Sequence, residues 1–159
     1  VMTLLFVAGG CAGGDRSMAS VGDDSVSVEE LLNYSSVFQR IELTATHPAP
    51  SLRAAAQAWI QDAAIAQALS SNGIELEDAA ELDAEQLLQQ AIESGEILPV
   101  EPATPGYAFM VRRAWLLRED RAGDPGVQDA AVALLTDTVD VSSRLGRWDP
   151  ATLQIAPIG

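Results

Sequence analysis

The chain contains no lysine. All nine basic residues are arginines, set against 23 acids, and the formal net charge is −14. A surface so acidic repels the phosphates of nucleic acid and of anionic lipid headgroups, and on this average both are discounted as direct partners. There is one cysteine, Cys11, which excludes an internal disulfide. With one histidine besides, His47, the chain lacks the Cys and His ligands of an ordinary zinc site. His47 stands in the proline-bounded "TATHPAP", with no nucleophile elbow nearby, so a Ser–His–Asp triad has no support. Neither a glycine-rich phosphate loop nor an internal repeat occurs. After the N-terminal stretch, no run is apolar for long enough to cross a bilayer. The expectation is a protein without catalytic residues, metal ligands or cofactor.

What is present suits one helical domain. Apolar residues make up 48% of the 159, charged residues 20% and aromatic residues only 5%. One modest core follows from that length, and abundant alanine favours helices with closely spaced axes. The first residues, "VMTLLFVAGGCAGGDRSMAS", read as a targeting segment: an apolar run, then small residues, then Cys11. Ala8, Gly9 and Gly10 before the cysteine resemble a bacterial lipoprotein signal, whose peptidase cuts ahead of a diacylglyceryl cysteine. Ala8 replaces the usual leucine and the basic leader is missing, so the natural start is expected upstream. On this reading residues 1–10 are the signal, 11–17 a flexible tether and 18–159 one domain, and lipid on Cys11 holds it to a membrane surface.

The stretch "SVGDDSVSVEELLNY" carries four acids within eight residues: Asp23, Asp24, Glu29 and Glu30. No His or Cys converges with them, so they are read as shaping the chain rather than as a site. "MASV" and "VSV" are strand candidates around a "GDDS" turn. Ser27 with Glu30 gives the S-x-x-E spacing of a capping box, which opens a helix carrying Leu31, Tyr34, Phe38 and Ile41 on one face. A second helix from Ser51 places Leu52, Ala56, Trp59, Ile60, Ala63, Ala66 and Leu69 inward and closes at Gly73. A third runs from about Asp83 to Glu93 with Leu87, Leu88, Ala91 and Ile92 inward. A fourth spans roughly Tyr107–Arg121, with Phe109, Trp115 and Leu116 as core candidates. Its Arg112, Arg113, Arg118 and Arg121 are expected to pair with the acidic middle of the chain, which has no basic residue between Arg53 and Arg112. The fifth starts with Asp124 as N-cap and Pro125 at the first position, with Val127, Ala131, Leu134 and Leu135 facing the core. In the tail "TVDV" and "LQI" are extended and "GRWDP" is turn-like. The fold class is therefore mainly α, about five helices with short strand pieces near both ends.

That order resembles the N-terminal domain of SurA-type periplasmic chaperones. "VGDDSVSVEEL" is similar to their opening stretch, and "AWIQDAAIAQALSSNGIEL" to their second helix with its Gly-Ile exit. "VDVSSRLGRWDP" is similar to the ending of short actinobacterial lipoproteins of this kind, with Ser142 and Ser143 in place of Asn-Pro and Leu145 in place of an aromatic. The resemblance covers most of Met18–Pro150 and implies a SurA N-domain-like fold that binds unfolded or nascent exported proteins. The family's parvulin domain, which isomerises X-Pro bonds, is missing, so no catalysis is implied. The expected location is extracytoplasmic, on the outer face of the cytoplasmic membrane. Trp59, Phe109, Trp115 and Trp148 are the candidate client-contacting residues, each weighed against a core role. The alternatives are a prolyl-isomerase-related protein and an envelope lipoprotein that binds one folded partner.

Overall fold

The structure, a computed structural model, describes residues 17–42, 52–75, 81–95 and 101–158. Cys11, the expected signal, the expected tether up to Arg16, and His47 lie outside these residues, as do the side chains of Phe38, Ile41 and Leu87, whereas Ser17, expected to close the tether, opens a strand. The expected class is observed: five α-helices among the described residues, with short strands near both ends.

The chain enters as a hairpin. Strand β1 (Ser17–Val21) pairs antiparallel with β2 (Asp24–Ser27) across a two-residue turn. Gly22 in that turn has φ +52°, the left-handed backbone that tight hairpin turns demand. The strand leads directly into α1 (Val28–Glu42). The capping box forms as its spacing requires: Glu30 N–H donates to Ser27 Oγ at 3.2 Å, and Ser27 N–H to the Glu30 carboxylate at 2.8 Å. Leu31 and Tyr34 are fully buried.

Helix α2 (Leu52–Ser71) is the centre of the fold. It packs on α1, on α4 (Tyr107–Arg118), on α5 (Pro125–Asp137) and on strands from both ends of the chain. Ala55, Ala56, Trp59, Ile60, Ala63, Ala64, Ala68 and Leu69 are buried, a wider face than one apolar stripe, while Leu52 and Ala66 are only partly covered. It ends in a Schellman motif: Ile74 N–H donates to Leu69 O at 3.1 Å and Gly73 N–H to Ser70 O at 2.8 Å, with Gly73 at φ +76°. Helix α3 (Glu81–Glu93) starts two residues earlier than expected and packs on α4 through Leu88 and Ala91.

Helix α4 stops at Arg118 rather than Arg121. Glu119 turns out of the helix at ψ 104°, and its carboxylate accepts from Arg121 N–H, starting a separate 3-10 turn, Asp120–Gly123. The residues α4 buries most completely are Met110, Ala114 and Trp115; Phe109 and Leu116 are half-buried. Asp124 occupies the N-cap position of α5 with Pro125 behind it, but its side chain makes no cap bond and instead meets Arg121 at 3.5 Å.

The tail closes the structure. β3 (Asp140–Val141) joins the other edge of β1, giving the sheet order β2–β1–β3. "GRWDP" is not a free turn. Arg147–Asp149 form β4, which pairs with β5 (Gln154–Ala156). Turn-like composition yields there to burial of the Trp148 ring, whose indole N–H donates to Leu135 O at 2.8 Å. The actual turn follows it, where the Asp149 carboxylate accepts from Ala151 N–H at 3.0 Å and Thr152 O–H at 2.9 Å.

Two glutamines of α2 fasten the two ends of the chain. Gln67 Nε2 donates to Val21 O at 2.7 Å. Gln57 Nε2 donates to Leu153 O at 2.9 Å while its Oε1 accepts from Ile155 N–H at 2.8 Å, so one side-chain amide serves the hairpin as a neighbouring strand would. Leu153 sits there at φ +54°, a left-handed position unfavourable for leucine. Replacing Gln57→Leu strands a partly buried donor and acceptor and is expected to cost about 1–3 kcal/mol. Urea unfolding measures the loss, and hydrogen exchange should localise it to residues 147–156. Gly146→Ala should weaken the same hairpin by about 1–3 kcal/mol, because a Cβ at φ +142° would run into the Ala156 carbonyl.

Candidate functional site

The side chains of α1, α2 and α4 converge on a buried polar node that the sequence reading missed. The Tyr34 hydroxyl donates to Asp62 Oδ2 at 3.0 Å. Arg113 Nη1 lies 3.3 Å and 3.2 Å from the two carboxylate oxygens and 3.5 Å from the Tyr34 hydroxyl. Phe109 presents its ring edge-on to Tyr34, centroids 5.3 Å apart at 90°. The signal was present in "AWIQDAAIA": one acid within an otherwise apolar helix face must find a partner when that face is buried. Burial pushes the Asp62 carboxyl above its ordinary value, with the Arg113 guanidinium and the Tyr34 hydroxyl pulling the other way. Burial likewise pushes the Tyr34 hydroxyl up, reinforced by the Asp62 charge. For Arg113 burial pulls the guanidinium down, and the attraction of Asp62 and Tyr34 more than offsets it, so it is held raised.

Next to Arg113 on α4, Arg112 pairs with Asp24 of β2 at 2.9 Å. The four arginines from Arg112 to Arg121 are thus divided, and Arg118 donates to the Ser94 hydroxyl at 3.0 Å. Arg113 takes an acid from the run between Arg53 and Arg112, as expected, whereas Arg112 reaches back to the hairpin and Arg121 pairs locally with Asp124. Asp24 is the first residue of a strand and half of an ion pair rather than a turn residue. With Glu30 committed to the cap, the four acids of the opening stretch serve separate ends. Among the described residues no group of three or more His, Cys, Asp or Glu converges to hold a metal.

The Arg112–Asp24 pair stands at the lip of a solvent-open cleft of about 290 Å³ between the hairpin, the second half of α2 and α4. Ala66, Ile74 and Trp115 give it an apolar lining, and Gln67, Ser70 and Glu75 complete the polar rim. Gln67 is fixed by Val21, and the Ser70 hydroxyl donates to Glu75. A rim with one cation, two carboxylates and a hydroxyl over an apolar lining can hold an extended chain by its backbone and by side chains of either charge.

Of the four aromatic candidates, Trp115 lines this cleft while burying most of its ring. Trp148 borders a second cleft near the tail with Val139, Val141 and Pro150. Trp59 is core, 4% exposed, and Phe109 braces the tyrosine of the polar node. Aromatic residues are few, and the core has taken them first.

The polar node is expected to govern stability. Asp62→Ala strands the Tyr34 hydroxyl and the Arg113 guanidinium and should cost about 2–3 kcal/mol. Asp62→Asn keeps one acceptor oxygen for the Tyr34 hydroxyl and Arg113 and loses the other, and should cost less than alanine, because desolvation of the carboxylate offsets much of its attraction to Arg113. The folded-state value of Asp62 lies above the ordinary 3.8. Its contribution to stability is therefore complete below that value and is lost as pH rises through the folded one. Asp62→Asn removes this slope, so the wild type's advantage over the variant should shrink as pH rises from acid to neutral. Urea unfolding across that range measures the difference, and a constant gap would contradict the assignment. A scan against protein-family models found no match to the chain, and searches of curated proteins and of solved structures found none either.

Proposed function

We propose that this chain is a lipid-anchored extracytoplasmic protein that holds unfolded or extended segments of exported proteins, without catalysis. The observation that carries the reading is the cleft between the β1–β2 hairpin, α2 and α4, with its apolar lining under a mixed polar rim. Such a rim recognises backbone and is tolerant of sequence, as a holding protein requires. A cleft this small buries only a few side chains at a time, so binding would be weak and reversible. The SurA-like order of elements supports the same reading, and the small residues ahead of Cys11 support the anchor. No described helix is long and apolar enough to cross a membrane, so lipid on Cys11 would supply the attachment.

The test is suppression of aggregation. A chemically denatured model protein diluted into several-fold excess of the purified chain should scatter less light than alone. Ile74→Arg, which places a charge in the partly buried apolar lining, should abolish the effect while leaving the unfolding midpoint within a few degrees of wild type. Unchanged scattering with the wild-type chain would sink the holding function. Acceleration of X-Pro isomerisation in a tetrapeptide would move the assignment to the isomerase alternative. One stoichiometric partner recovered from envelope extracts would move it to the folded-partner alternative.

A further inference from the structure

The opposite end of α2 carries a different surface. A groove of about 490 Å³ is lined there by Met18, Val28, Leu52, Arg53, Arg144 and Leu145. Met18 and Leu145 form a buried base, 4% exposed each. Val28 is 37% exposed, and Leu32, one turn further along the same face of α1, is 55% exposed. Arg53 and Arg144 are exposed beside this apolar surface. Arg53 is oriented by donating from Nε to Leu145 O. Two of nine cations thus meet at one apolar groove on a chain whose net charge is −14. The average charge of the surface does not describe this end.

The path of the chain says what this end faces. Strand β1 begins at Ser17, beside Met18 of the groove, and Cys11 stands six positions earlier. Even fully extended, six residues reach only about 20 Å. A lipid on Cys11 would therefore hold this groove close to the bilayer. The cleft at Gln67, Ser70 and Arg112 lies at the far end of α2, about 25 Å from Arg53 at the rise of an α-helix.

We propose that the groove of Met18, Val28, Leu52, Arg53, Arg144 and Leu145 is the membrane-docking face of the anchored chain, and that its occupant is the anionic phospholipid headgroup layer. Val28 and Leu32 enter the interface, and the two arginines meet lipid phosphates. Each arginine strengthens such contact on the order of fivefold near an anionic surface. That is too little for a free acidic protein but effective once a tether makes the encounter intramolecular. Repulsion of the acidic remainder sets α2 upright and turns the client cleft away from the membrane. The inference rests on the anchoring reading above.

The single thiol allows the test without natural lipidation. The full chain is coupled through Cys11 to a maleimide lipid in vesicles of phosphatidylcholine alone or rich in phosphatidylglycerol, and hydrogen exchange is compared. Amides of residues 17–18, 27–32 and 143–146 should exchange at least severalfold more slowly on the phosphatidylglycerol vesicles, with residues 70–75 unchanged. Arg144→Gln, which spares the Arg53–Leu145 bond, should reduce the protection, and the double variant with Arg53→Gln should remove it. Equal exchange on the two vesicles would overturn the proposal. Protection that needs no vesicles and rises with protein concentration would assign the groove to a second copy and would overturn it as well. Mass spectrometry of the naturally processed N-terminus tests the anchor separately, so docking can fail while anchoring stands, and the reverse.

Discussion

Helix α2 is enclosed by α1, α4, α5 and strands from both ends of the chain, and this enclosure sets the terms for the rest of the molecule. It is possible because five of the eight residues that α2 buries are alanines. Small side chains let neighbouring axes come close, and Trp59, Ile60 and Leu69 then fill the gaps between them. Enclosure also requires the partly buried polar side chains of α2 to find partners within reach. Asp62 meets Tyr34 and Arg113, Gln67 meets Val21, and Gln57 meets Leu153 and Ile155. Each of these pairings joins segments far apart in sequence, so the polar groups of one helix fix the positions of three other parts of the chain.

Net charge is a poor guide to such a surface. The −14 of the whole chain coexists with an arginine-flanked apolar groove at one end of α2 and a mixed-charge cleft at the other. The difference arises because Arg112 and Arg113 of α4 are paired with Asp24 and Asp62, while Arg53 and Arg144 are exposed. A helix that is rigid along its length can hold two such sites at a fixed separation. On the function proposed above, that arrangement would keep a lipid-facing end apart from a client-facing end.

Local rules were legible wherever a few adjacent residues decide the outcome. Ser27 and Glu30 specify a capping box, Gly73 a helix exit and Pro125 a helix start. Each depends on backbone groups within about one turn, so its energetics are present in the sequence itself. The candidate site was less legible. Trp115 was singled out as an aromatic, but Asp24, Gln67, Ser70, Glu75 and Arg112, which give the cleft its chemistry, come from three separated stretches.

What the sequence determined by itself is the helical class, the hairpin that opens the described residues, the capping box that starts α1 and the glycine exit that ends α2. Only the tertiary structure decided that Arg112 reaches the hairpin while Arg113 turns inward, that "GRWDP" becomes a strand, and that Gln57 stands in for a neighbouring strand. The physical reason is that a buried donor or acceptor takes whichever partner packing brings within about 3 Å, and packing is settled by the whole core rather than by the residues on either side.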